Sequence, residues 1–251
     1  MKEKTHDDLL REHHPEVIAR RLNQSPKSQN VSDAVLGGID GCVTTFSVVS
    51  GSVGAGLSMS VALILGFANL FADGFSMAVS NYESKRAQHE YEESIRATES
   101  RHISEVPHGE REEIRQIFEK KGFDGQVLTQ IVDTICANRE LWIETMLTEE
   151  HGLAKPSSKP LASAITTGIA FIVVGTIPLT PFLWPGLATG QQFVLSTVLA
   201  GIMFLCIGML KSLVFDRPVF RSGIQTLVTG GTAAALAYAT GHLLRNVFGV
   251  A

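Results

Sequence analysis

The sequence predicts an all-α, polytopic membrane protein, in which five transmembrane helices carry a cytoplasmic helical insert between helices two and three. Asp, Glu, Lys and Arg are absent from three long runs, at 41–72, 160–210 and 222–244. A helix needs about 20 apolar residues to cross a bilayer, so the run at 160–210 is long enough for two crossings. The stretch from 83 to 158 is instead as charged as a soluble helical domain, which predicts a separate insert.

The apolar runs are expected to be helices, because every backbone N–H and C=O group in lipid must pair within its own segment. The expected spans are about Ala34–Leu57, Met59–Tyr82, Leu161–Leu183, Phe193–Leu213 and Ile224–Phe248. The chain therefore divides into an N-terminal tail at 1–32, transmembrane helices one and two at 33–82, the insert at 83–158, and transmembrane helices three to five at 159–251.

The positive charges indicate the orientation. Of the 21 Lys and Arg residues, six lie in the N-terminal tail, eleven between spans two and three, and three between spans four and five. The loops between spans one and two and between spans three and four contain none. Since positively charged loops stay in the cytoplasm, we expect the N-terminus and the insert inside and the C-terminus outside. The net charge of −4 is too small to indicate a nucleic-acid partner.

The insert is expected to form three or four short helices. Asn81–Ile103 contains neither Pro nor Gly, so it should continue span two into water until the break near Pro107. Three further segments are Glu110–Lys121, Asp124–Ala137 and Arg139–His151. In the second of these, Val127, Ile131 and Ile135 form a stripe at helical spacing that should face a partner helix.

The insert carries pairs of potential metal ligands, each on one helix face. The pairs are Glu99 with His102, Glu110 with Glu113, and Met146 with Glu150. Carboxylate oxygens with an imidazole suit Mn²⁺ and Fe²⁺, and a thioether adds some preference for iron. A solvated helix face is the alternative, because Glu is common on exposed helices. Glu-x-x-His also occurs in di-iron bundles that handle oxygen, but Glu99 with His102 is the one such pair of the insert that no proline interrupts.

Polar residues lie inside the first two predicted spans. Asp40 is deep in span one, and span two carries Asn69, Asp73 and Met77 one helical turn apart. A carboxylate within a span costs a few kcal/mol, so it usually faces a cavity, a partner or a pathway. For Asp73 a position near the cytoplasmic interface is the alternative. Small residues around these positions should let spans one and two meet along their carboxylates.

These segments resemble a known family. Gly38–Gly41 and Ala68–Met77 are similar to spans one and two of the vacuolar iron transporter family, and Glu112–Phe123 and Met146–Leu153 are similar to its cytoplasmic insert. The resemblance covers about residues 30–250. It implies a five-span homodimer, not an enzyme, that exports cytosolic Fe²⁺, and often Mn²⁺, in exchange for protons, with no organic cofactor. The insert would collect ions and pass them to a pathway at the dimer interface. We expect a bacterial cell membrane rather than a vacuolar one.

The resemblance also implies roles for individual residues. The family's pathway Asp and Met fall on Asp40 and Met77, and its insert ligands fall on Glu99, Glu110, Glu113, Met146 and Glu150. Three positions depart from the plant and fungal pattern: a pathway Glu is Asn69, an insert Glu is His102, and a second Met is Leu147. Asp73 could replace the carboxylate lost at 69.

Two other functions stay open: a membrane-anchored cytosolic metal sensor or buffer, and an iron-oxidising protein. Asp40 favours transport over both, because a membrane anchor has no need of an intramembrane carboxylate.

Overall fold

A computed structural model describes residues 5–22, 28–153, 159–215 and 218–249 of the chain, and the described residues contain helices and no strand. The predicted all-α class is therefore confirmed for this part. In chain order the helices are α1 (His6–Glu12), α2 (Pro15–Leu22), α3 (Ser28–Gly54), α4 (Met59–Glu105), α5 (Pro107–Lys120), α6 (Gly125–Cys136), α7 (Arg139–Glu149), α8 (Pro160–Thr176), α9 (Thr189–Phe215) and α10 (Val219–Phe248), with a 3₁₀ helix at Ile177–Leu183.

The chain forms two compact units. We call residues 1–83 with 157–251 the membrane unit and residues 84–156 the insert unit. Helix α4 is one unbroken helix of 47 residues, as the absence of Pro and Gly from Asn81–Ile103 predicted. It ends just before Pro107, which occupies the first turn of α5. Proline is favourable there because that N–H has no partner within a helix, so α5 begins earlier than the predicted Glu110.

Four helical segments of the described residues are long and apolar enough to cross a membrane: Asn30–Gly54, Met59–Glu105, Pro160–Leu183 and Thr189–Ser212. They correspond to the first four predicted spans. Helix α10 has 30 residues but is not among them. Gln225 and several threonines make it less apolar, and it packs against α3 and α9. A fifth span stays a prediction.

Helices α3 and α8 touch through their backbones. A Cβ atom added to Gly37 would lie 2.1 Å from the carbonyl oxygen of Thr167, and one added to Gly41 would lie 2.3 Å from that of Phe171. Glycines four residues apart remove the side chains that would otherwise keep two membrane helices apart. Helix α3 has a second contact of this kind with α10, where a Cβ on Gly241 would lie 2.1 Å from the carbonyl oxygen of Gly51.

Gly41→Ala is expected to destabilise the protein by about 1–3 kcal/mol, because the added methyl would overlap a backbone that cannot rotate away. The midpoint of thermal unfolding in detergent measures this loss. Gly231→Ala is the matched control in α10, since no described atom lies within 4 Å of a Cβ placed there. An equal fall for both variants would contradict close packing at Gly41.

The insert unit has an apolar core of its own, which includes Ile114, Trp142 and Met146. Helix α6 contributes Leu128, Val132 and Ile135 to it. The predicted stripe through Val127, Ile131 and Ile135 is therefore wrong at its start, where Val127 is exposed. Apolar residues in this segment form two overlapping stripes, one that begins at Val127 and one that begins at Leu128. The packing of α6 against both α5 and α7 decides which one is buried.

The N-terminal tail contains two helices that the polar sequence did not lead us to expect. Thr5 caps α1, because its side chain accepts a hydrogen bond from the N–H of Asp8 while the Asp8 carboxylate accepts one from the N–H of Thr5. This reciprocal pattern satisfies two backbone donors that a helix start leaves free. Helix α2 begins with Pro15 and has no buried residue.

Candidate metal centre and intramembrane polar residues

Two carboxylates are buried in the insert unit. Glu99 on α4 and Glu110 on α5 are each 3 % exposed. On each side chain the Oε2 atom has no hydrogen-bond partner among the described residues. Burial of an unpaired carboxylate is costly, so it is normally neutralised by a proton or a cation. The two orphaned oxygens therefore make this a fitting site for a cation.

Further ligand groups converge on these two carboxylates. One triad consists of Glu99, His102 and Glu110, and a second consists of Glu99, Glu150 and His151; within each triad the ligand atoms lie within 4.8 Å of one another. The Nδ1 atom of His102 lies 3.4 Å from Oε1 of Glu110. The Nε2 atom of His151 lies 3.1 Å from Oε1 of Glu99. Glu99 is thus common to both triads.

The ends of α4 and α7 are held together by polar contacts. The guanidinium of Arg139, at the start of α7, donates to the carbonyl oxygen of Ser100 at 2.6 Å and to Oγ of Ser104 at 2.7 Å. Arg96 on α4 forms an ion pair with Glu140 on α7. At the other end of α7 the N–H of His151 bonds to the carbonyl oxygen of Met146, so the chain turns back toward Glu99.

The electrostatics of the cluster favour a cation. Burial raises the pKa of Glu110 to about 7, and the negative charges of Glu113, Glu99 and Glu150 add to the shift. Burial also raises the pKa of Glu113, with further contributions from Glu150 and Glu99. Repulsion among several carboxylates is relieved when a proton or a divalent ion binds between them.

Glu110→Gln is expected to flatten the pH dependence of stability of the metal-free protein. The pKa of Glu110 rises from an ordinary 4.5 to about 7, so the folded state holds the proton more tightly than the unfolded state. The contribution of Glu110 to the free energy of unfolding is therefore fully present below pH 4.5 and is lost as the pH rises through 7. The loss amounts to about 1–3 kcal/mol.

Thermal unfolding in detergent with a chelator, at pH 5.5 and pH 8, measures whether stability falls as the pH rises. The wild type should lose more stability between the two values than Glu110→Gln does. An equal loss in both would show that Glu110 does not titrate in this range.

The structure brings most of the predicted insert ligands together. Glu99, His102, Glu110 and Glu150 fall within the two triads, and Glu113 is close enough for its charge to act on Glu110. Met146 is fully buried in the apolar core of the insert unit, where Leu147 is also buried. Its role as a ligand stays a prediction, as do the roles of the others.

Sequence reasoning missed His151 as a candidate ligand. It follows Glu150 directly, but spacing rules for one helix face do not extend past the end of α7. The turn that brings its ring to Glu99, 52 positions earlier, is a tertiary feature.

The four predicted pathway residues lie in the membrane unit, on α3 and α4. Asp40 and Asp73 are half-buried, and they are close enough for their charges to interact. Asn69 is half-buried, and its Nδ2 atom has no partner within the described part of the chain. Met77 packs against an apolar cluster that includes Leu70 and Phe171. Their roles in a pathway stay predictions.

A further polar group in the membrane unit was not predicted. Nδ2 of Asn81 donates to Oδ1 of Asp33 at 3.2 Å and to Oγ1 of Thr167 at 2.7 Å, so the three residues join α3, α4 and α8. Asp33 is buried. It precedes Asp40 by two helical turns on α3, and this spacing is the signal that could have found it.

Comparisons with known proteins agree with the sequence resemblance. A family model described as "VIT family" matches residues 31–242. The chain is similar to a "Vacuolar iron transporter" of Toxoplasma gondii, with 30 % identity over 251 residues that cover 96 % of this chain and 82 % of the relative. It is also similar to "Vacuolar iron transporter 1" of Oryza sativa subsp. japonica, with 28 % identity over 90 % of this chain and 87 % of the relative.

A third relative is a "Vacuolar iron transporter" of Plasmodium falciparum, with 27 % identity over 89 % of this chain and 85 % of the relative. All three names describe transporters and refer to the vacuole. They lend no support to the bacterial cell membrane that we expected from the sequence.

Proposed function

The chain belongs to the VIT family, and from this premise we propose that it exports divalent iron, and also manganese, from the cytosol in exchange for protons. It is an integral membrane protein, with four described helices long and apolar enough to span a bilayer. The proposal includes five spans, a cytoplasmic N-terminus and insert, an external C-terminus and a homodimeric assembly.

The observation that carries the proposal is the acidic pair Asp40 and Asp73 within α3 and α4. Each carboxylate costs about 2.5–3.5 kcal/mol at the centre of a membrane helix, and two that interact add repulsion to this cost. A divalent ion or a proton between them removes both penalties. A helix that served only as an anchor would gain nothing from such a pair.

In the first step the insert collects the ion. Glu99, Glu110 and Glu150 supply carboxylate oxygens and His102 supplies an imidazole, a combination that suits Fe²⁺ and Mn²⁺. Glu113 adds negative charge nearby, and Met146 is the proposed thioether ligand. Since the pKa of Glu110 is about 7, arrival of the ion displaces a proton that this side chain holds part of the time near neutral pH.

In the second step the ion passes along α3 and α4. Asp40 and Asp73 provide negative charge, and Met77 and the amide oxygen of Asn69 provide neutral ligands. Protonation of Asp40 from the outer side would weaken its hold on the ion and release it. The returning proton then leaves toward the cytosol, which gives one exchange cycle.

Purified full-length protein in proteoliposomes with an imposed pH gradient tests the proposal. Fe²⁺ under anaerobic conditions, Mn²⁺ and Zn²⁺ are compared, while an entrapped dye reports the proton counterflow. We expect flux of Fe²⁺ and Mn²⁺ that depends on the gradient. Metal binding without flux would instead favour a membrane-anchored sensor or buffer. Oxygen consumption on addition of Fe²⁺ would favour an iron-oxidising protein.

A further inference from the structure

The two triads of the insert unit each contain one imidazole. His102 lies beside Glu110, and His151 lies beside Glu99 and at 3.6 Å from Oε2 of Glu150. Both rings are partly exposed while Glu99 and Glu110 are buried. The buried carboxylates can thus hold an ion from the inside, and the rings can close the site from the solvent side.

Each of the two buried carboxylates has one oxygen without a hydrogen-bond partner among the described residues. The Oε1 atoms of Glu99 and Glu110 face the two rings, and their Oε2 atoms have no partner among the described residues. The hydrogen bond between His151 and Glu99 satisfies only Oε1 of Glu99. An ion would engage the second oxygen of each carboxylate, and the ring could then turn its lone pair to the same ion.

Nitrogen ligands change the class of ion that a site prefers. Mg²⁺, Ca²⁺ and Mn²⁺ favour oxygen ligands, whereas imidazole also suits Fe²⁺, Co²⁺ and Zn²⁺. An imidazole is also neutral as a ligand. At positions 102 and 151 a neutral imidazole therefore adds no negative charge to the site, whereas a carboxylate there would add one. Both effects weaken the attraction of the site for hard ions.

We propose that His102 and His151 are metal ligands, one in each triad around Glu99, and that they make the insert prefer ions that bind imidazole over hard ions such as Mn²⁺. This inference rests on the proposed function, because it concerns the ions that the insert collects. It assigns a ligand, His151, and a basis for ion preference at the same site.

Equilibrium binding to the full-length protein in detergent tests the inference, with Co²⁺ and Mn²⁺ as the probe ions. Visible absorption of bound Co²⁺ depends on its ligands and their geometry, so a change in a histidine variant reports loss of the imidazole, and competition gives the ratio of the Co²⁺ and Mn²⁺ affinities. In His151→Gln and in His102→Glu the affinity for Co²⁺ relative to that for Mn²⁺ should fall about tenfold or more. This is the scale of effect expected for groups at a metal site. The Co²⁺ spectrum should change as well.

His108→Gln is the matched control. His108 is exposed on α5 in the same unit and belongs to neither triad, so the affinity ratio and the spectrum should not change. His102→Glu keeps the test decisive if His151→Gln fails to fold, because position 102 is half-exposed and tolerates a polar side chain. An unchanged ratio and an unchanged spectrum in both ligand variants would overturn the inference.

The result is independent of transport. A wild type that prefers Co²⁺ through its imidazoles, but shows no flux in proteoliposomes, would sustain the inference and refute the proposed function. Normal flux in the wild type, together with an unchanged affinity ratio in His151→Gln and His102→Glu, would support the proposed function and refute the inference.

Discussion

Asp40→Asn is expected to reduce the initial rate of Fe²⁺ flux into proteoliposomes by at least about tenfold, a change of about 1.4 kcal/mol or more. The amide has nearly the shape of the carboxylate, so the packing of α3 should persist. It has no charge to attract a divalent ion and no proton to exchange. Asp73 would then be the only carboxylate of the interacting pair, and one charge cannot balance a doubly charged ion.

Asp124→Asn is the matched control for this variant. Asp124 is exposed at the start of α6, and its side chain makes no capping hydrogen bond, so the same substitution there should leave the flux unchanged. The thermal unfolding midpoints of both variants establish that each is folded. Wild-type flux in a folded Asp40→Asn protein would remove the carboxylate from the mechanism.

Glu99→Gln should weaken metal binding by the full-length protein about 100-fold, at the upper end of the effects seen when one group of a metal site is lost. Glu99 is shared by both triads, so one substitution removes a charged ligand from each. The glutamine side chain fits the same buried space, and its amide can still hydrogen-bond to His151. Titration with Mn²⁺ or Co²⁺ in detergent measures the change.

Glu105→Gln serves as the comparison, since Glu105 is the exposed last residue of the same helix and belongs to neither triad. Its affinity should stay within about twofold of the wild type, which is about 0.4 kcal/mol. If Glu99→Gln also stays within that range, the buried carboxylates are structural and the ions bind elsewhere.

The sequence was most informative where one property extends over many residues. Long charge-free runs predicted the four apolar helices, because the cost of charge in lipid leaves little freedom in composition. The lack of Pro and Gly after Asn81 predicted the continuity of α4. Pairs of potential metal ligands at helical spacing included four of the residues that the structure gathers in the insert unit, namely Glu99, His102, Glu110 and Glu150.

Contacts between distant segments were beyond these patterns. Burial of Leu128 rather than Val127 depends on the helices that flank α6, and periodicity allowed both. His151 reaches Glu99 through a turn after α7. Asp33 lies two helical turns before Asp40, which marks it as a candidate, but its burial depends on its partners on α4 and α8.

The glycine contacts of α3 bear on how the pathway could open. Backbone lies against backbone at Gly37 and Gly41 on one side and at Gly51 on the other, so α3 cannot slide or tilt without losing contact with α8 or α10. Helix α3 is therefore expected to stay in place relative to α8 and α10, and the backbone of Asp40 stays in place with it. If Asp40 acts in the proposed pathway, we expect the motion that exposes it to lie in α4 or in the Asp40 side chain rather than in α3.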